Sequence, residues 1–106
     1  MKKTNIKEMF RGWFVGNFEP SAFKTEQFEV GILTHKKDEK WAKHYHKIAT
    51  EINCLISGKM TINGIEINEG DIFILEPSEP AEPIFLQDCK LVVIKTPSVI
   101  GDKYEI

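Results

Sequence analysis

The sequence predicts an all-β chain folded as a small jelly-roll β-barrel or double-sheet sandwich. Turn-forming residues recur throughout, from Gly12, Gly16 and Pro20 through Ser57-Gly58, Asn63-Gly64 and Glu69-Gly70 to Pro77, Pro80, Pro83, Pro97 and Gly101, and cut the chain into pieces too short for helices. The pieces favour β-branched, aromatic and aliphatic residues. Many short antiparallel strands at such spacing pack as two sheets or close into a barrel.

Taken in order, the first ten residues are the one place a helix could form. Strands are expected at Gly12–Phe18, Phe28–Leu33, Lys43–Lys47, Glu51–Ser57, Lys59–Ile62, Ile65–Ile67, Asp71–Leu75, Ile84–Leu86 and Lys90–Thr96. Asn63-Gly64 supplies the positive φ angles of a two-residue type I′ hairpin, with Met60, Ile62, Ile65 and Ile67 facing one side. Ile52–Ile56 and Asp71–Leu75 carry apolar residues at both parities, which predicts strands covered on both faces. A second sheet would cover one face, and the N-terminal strands or a partner subunit the other. Lys36–Lys40 mixes both charge signs and reads as a solvated loop, with His35 beside it a surface histidine. No boundary or repeat divides residues 1–106, so one domain is expected, with N-terminal strands over about 12–33.

Composition narrows the function. The chain has 106 residues, 14 basic and 16 acidic, for a net charge of −2, with 42% hydrophobic residues. A chain of this size buries roughly two-thirds of its unfolded surface and needs no metal or disulfide merely to fold. Near-neutral charge without a basic stripe argues against a nucleic-acid partner. No apolar run approaches the roughly 20 residues of a membrane helix, and the basic opening is not followed by the apolar stretch of a signal peptide. A cytoplasmic location is expected, with Cys54 and Cys89 as buried free thiols.

Chemistry concentrates in His44-Tyr45-His46. Residues two apart on a strand share a face, so both imidazoles project together, as metal ligands do. Glu51 opens the next strand, where a corner at 48–50 can return its carboxylate beside them. If Glu51 points inward, so do Asn53 and Leu55, while Ile52, Cys54 and Ile56 face away. Asn53 then becomes a candidate hydrogen-bonder to a ligating side chain or to substrate, or simply an inward polar residue satisfied by a water.

The spacing His44-x-His46-x4-Glu51-x6-Gly58 resembles the first motif of the cupin superfamily. That resemblance implies a jelly-roll fold over about residues 30–96, with a divalent metal held by His44, His46 and Glu51 in the motif 44–58. A second motif is matched at about 70–82 by Gly70, the apolar strand and Pro77. There are departures: Asp38 stands where a glycine is usual, one extra residue separates Gly70 from Pro77, and no histidine follows. Counting on from Pro77 puts the last family ligand at Glu82, whose carboxylate could replace the imidazole. Glu76 and Glu79 are nearby acids, and 78–83 equally reads as a solvated proline loop. Two nitrogens with carboxylate oxygens suit Fe, Mn, Zn or Ni. Trp13, Trp41 and Phe85 are candidates for a pocket mouth or for plain core.

Three functions are compatible with these residues. The first is a metal-binding cupin holding a small polar, carboxylate- or sugar-like ligand, with a metal-dependent oxygenase or isomerase reaction as the enzymatic form. The second resembles the metal-free nucleotide-sugar epimerases and ketoisomerases, with His44 and His46 moving protons and lysines such as Lys43, Lys47, Lys59 and Lys95 replacing scarce arginines; a regular strand turns Lys43 and Lys47 away. The third is a non-catalytic sensing module. The two-sided apolar strands predict a homodimer.

Overall fold

Apolar segments between turns form eleven short strands in the computed structural model, which describes residues 1–106. These are β1 (Trp13–Gly16), β2 (Phe23–Lys24), β3 (Glu29–His35), β4 (His44–Tyr45), β5 (Thr50–Ser57) and β6 (Met60–Ile62), then β7 (Ile65–Ile67), β8 (Ile72–Leu75), β9 (Pro83–Phe85), β10 (Cys89–Thr96) and β11 (Tyr104–Glu105). They form a six-stranded sheet in the order β2-β1-β3-β10-β5-β8, a three-stranded sheet β7-β6-β9, and the pair β11-β4. The architecture is a jelly-roll sandwich rather than a closed barrel, because β6, β7 and β9 pair only among themselves and β4 meets Ala81 through a single bridge. In place of a helix, the N-terminus has one 3-10 turn at Ile6–Glu8.

The central register sorts side chains by face. Paired residues in antiparallel strands point the same way, so Gly31, Val93, Asn53 and Phe73 form one inner row, and Glu29, Lys95, Glu51 and Leu75 another. The expected parity of β5 is observed: Asn53 and Leu55 are buried and Ile56 is exposed. The inner face packs Leu55, Leu75, Leu91 and Val93 against Met60, Ile62, Ile67 and Phe85 of the smaller sheet. At the hairpin, Asn63 and Gly64 have φ of 53° and 77°, as a type I′ turn requires. Ile65 breaks the expected apolar row and is exposed, since it sits at the tip of edge strand β7 with nothing packed over it.

The expectation that β5 and β8 are covered on both faces is not met within one chain. Their outer rows, Val30–Ile94–Ile52–Ile74 and Ile32–Val92–Cys54–Ile72, are apolar, and Ile72 and Ile74 are 66% and 51% exposed. Cys54 lies half-buried on this face, whereas Cys89 is buried; both are free thiols. Sequence patterning also missed β2 and β11, whose two residues each are too few for a period. No helix is long and apolar enough to cross a membrane.

Candidate functional site

Between the sheets lies a cavity of about 250 Å³ into which His35, His44, His46, Glu51, Asn53, Lys95 and Lys103 all project. The histidine segment is held from both sides. His44 exchanges backbone hydrogen bonds with Ala81 (3.1 and 2.7 Å), and the Ser78 N–H donates to the His46 carbonyl at 2.6 Å. On the opposite edge β11 pairs with β4, setting Tyr104 against Tyr45 and Glu105 against His44. Immediately after His46, the Asp102 carboxylate accepts the N–H groups of Lys47, Ile48 and Ala49 at 2.9, 3.1 and 2.9 Å. Burial opposes its ionisation, but these three bonds together hold the carboxyl below its ordinary range.

The two imidazoles stand edge to face with centroids 5.4 Å apart. His44 Nδ1 lies 3.0 Å from the Ala42 carbonyl; donation there leaves Nε2 with a free lone pair. His46 Nε2 and Asn53 Nδ2 are buried without a hydrogen-bond partner in the protein. Buried polar atoms left unpaired are costly, and both residues line this one cavity. Burial, with Lys95 second, pushes the His46 imidazole below its ordinary pKa, which favours the neutral ring.

Searches with family models and of the curated proteins find no match. Solved structures do match. A protein with a double-stranded β-helix domain from Klebsiella pneumoniae aligns with a TM-score of 0.70 at 18% identity, over 98% of this chain and 90% of that one. The DMSP lyase DddQ from Ruegeria pomeroyi gives 0.72 at 13% identity; the match covers 88% of this chain and 49% of the lyase, so the chain spans about half of that protein's length. A cupin-2 domain protein from Shewanella frigidimarina gives 0.57 at 13% identity, over 68% of this chain and 72% of that one. The chain has the cupin fold.

Within this fold, Gly58 has φ +101°, and a Cβ there would overlap the Asp88 carbonyl oxygen. Asp38, in place of the usual glycine, has φ +64°, a conformation that aspartate tolerates better than most residues. Of the candidate ligands, His44, His46 and Glu51 line the same cavity. Glu82 does not join them: it is exposed, and its N–H is bound to Asn63 Oδ1 at 2.9 Å. Its neighbour Ala81 faces His44 instead, so counting from Pro77 selects the wrong face. Glu76 and Glu79 are also exposed.

As the side chains stand, no three His, Cys, Asp or Glu residues converge closely enough to hold a metal ion. Two imidazoles and one carboxylate nevertheless line the same cavity, and a donor set of that chemistry suits a divalent metal.

Three residues of the cavity were not expected from sequence. His35 is an inward residue, its side chain only 12% exposed, stacked on Phe85 at 4.3 Å and bound through Nδ1 to Glu39 at 2.6 Å. Glu39 also accepts the Trp41 indole N–H at 2.5 Å, which, against some desolvation and helped by His35, holds its carboxyl below the usual range. The supposedly solvated loop thus fixes two rings of the cavity wall. Lys103 enters from the C-terminal segment and lies 4.1 Å from the centre of the Trp41 ring. Lys95, weighed only as one of several lysines, sits in the inner row between Glu29 and Glu51. Lys43 and Lys47 line no part of the cavity, as the strand parity predicts. Trp13, Trp41 and Phe85 all line it, and Phe85 is core as well.

Proposed function

We propose that this protein binds a divalent metal through His44, His46 and Glu51 and holds a small polar, carboxylate- or sugar-like ligand beside it. The observation that supports this most is the pair of free Nε2 atoms, one of them buried and unpartnered, entering a cavity that Glu51 also lines. A bound metal would supply Lewis acidity to an oxygen of the ligand. The chain's own residues do the rest. The Ala42 carbonyl fixes the His44 tautomer, Asn53 Nδ2 offers a hydrogen bond to a ligand oxygen, and Trp13, Trp41 and Phe73 restrict water.

The test is metal content by mass spectrometry on protein purified without a histidine tag or chelator. Near-stoichiometric Fe, Mn, Zn or Ni, lost in a His44→Ala, His46→Ala variant, is the expected result. Protein that stays metal-free after reconstitution overturns the metal assignment. A metal-free reading, in which the same histidines move protons on a nucleotide sugar, is favoured by one observation: Lys95 and Lys103 bring cationic groups into the cavity. Turnover distinguishes either reading from a sensing module.

The exposed outer rows of β3, β10, β5 and β8 support a homodimer, because an apolar face of this continuity is covered in most soluble proteins.

A further inference from the structure

A second cavity of about 300 Å³ adjoins the first. The two share Trp13, His46, Lys95 and Lys103 as common lining, so these residues form a waist between an inner chamber that holds the histidines and Asn53 and an outer one. Trp13 can stand at the waist because its ring packs on Gly31, where an added Cβ would lie 2.7 Å from the ring. The outer chamber is apolar on its open side: Phe10 and Ile100 are 64% and 77% exposed, and Phe18 and Val99 line it with them.

Four carboxylates and two lysines line the two chambers, but most of the acids are engaged elsewhere. Glu19 pairs with Lys24 at 3.3 Å. Glu29 is shared by Lys95 at 3.8 Å and the Ser98 hydroxyl at 2.9 Å. Asp102 is committed to backbone N–H groups, and Glu51 stands beside Lys95 in the sheet register. Lys103 has no carboxylate within salt-bridge distance; its ammonium rests on the Trp41 ring. Partial desolvation and the nearby Lys95 lower its pKa against the opposing pull of Glu105 and Glu51, and a bound anion favours the charged form.

We propose that the two chambers form one bipartite site for an amphipathic organic oxyanion, its carboxylate or phosphate anchored by Lys103 at the waist. The polar end faces His44, His46 and Asn53, and the apolar end lies against Phe10, Phe18 and Ile100. This deepens the ligand reading above and is independent of whether a metal is present.

The experiment is calorimetric titration of the full chain, as purified and after chelator treatment, with 3-phenylpropionate and with phenyl phosphate. Acetate, inorganic phosphate and 3-phenylpropanol serve as the separate halves. One-to-one binding at least tenfold tighter for one of the amphipathic anions than for either half is expected, and the better of the two identifies the oxyanion. Lys103→Met should weaken it about tenfold while keeping the side-chain stem, and Ile100→Asp should weaken it as much from the other chamber. The Trp13 indole N–H resonance should shift on binding. Equal affinity for the halves, no effect of Lys103→Met, or an unshifted Trp13 resonance would each overturn the proposal. Binding that survives chelation in a protein without stoichiometric metal would leave it standing while the metal assignment fails.

Discussion

The Asp102 carboxylate accepts the backbone N–H of Ala49 at 2.9 Å, across more than fifty residues of chain. Through this contact and its companions at Lys47 and Ile48, the C-terminal segment fixes the corner between the histidine strand and Glu51. The corner decides whether imidazoles and carboxylate face one cavity, so Asp102 is a positioning residue for the whole candidate site.

Removing that carboxylate should therefore cost stability. Asp102→Ala leaves three backbone donors unpaired, one of them buried, and a loss of roughly 2–4 kcal/mol is expected from the cost of such groups. Urea denaturation of the two proteins checks it. The pH dependence follows from the lowered pKa: the folded state holds the proton less tightly than the unfolded chain, so the unfolded chain takes up protons first. The contribution of Asp102 is full above its ordinary value of 3.8 and fades as the pH falls from there through the folded-state value. Asp102→Asn should lose this part of the acid dependence.

Gly58 and Gly70 both have positive φ, but only Gly58 is crowded. Gly70→Ala should cost about 1 kcal/mol, the ordinary penalty for placing a side chain at positive φ. Gly58→Ala must in addition displace the Asp88 carbonyl or the Cys89 backbone, and should cost at least twice as much. Comparable denaturation midpoints for the two variants would show that the 58–89 contact is loose.

The outer sheet face predicts association. Light scattering coupled to size exclusion should give a dimer for the wild type, and Ile72→Lys with Ile74→Glu should give a folded monomer, because charges opposite an apolar partner surface are costly to bury. A wild-type monomer at micromolar concentration would contradict the homodimer.

Much of this was legible in the sequence. The Asn63-Gly64 hairpin and the β5 parity follow from local rules, and both stand in the structure. His44 and His46 were placed together by the period of two, and they do enter one cavity. Glu82 failed for the same reason that strand register is unforgiving: a slip of one residue exchanges faces, and here Ala81 took the inward position. His35 was missed because β3 continues two residues past Leu33, a boundary that local composition blurs beside the charged loop. Lys103 and Asp102 gave no signal at all. Their roles depend on the chain end returning to β4, a long-range pairing carried by two residues.

The most direct test of the metal assignment is anomalous diffraction, at the edge of whichever metal co-purifies, from crystals of the tag-free protein. A single strong peak bounded by His44 Nε2, His46 Nε2 and the Glu51 carboxylate is the result expected. No peak in that cavity, or a peak bound elsewhere on the chain, would contradict it.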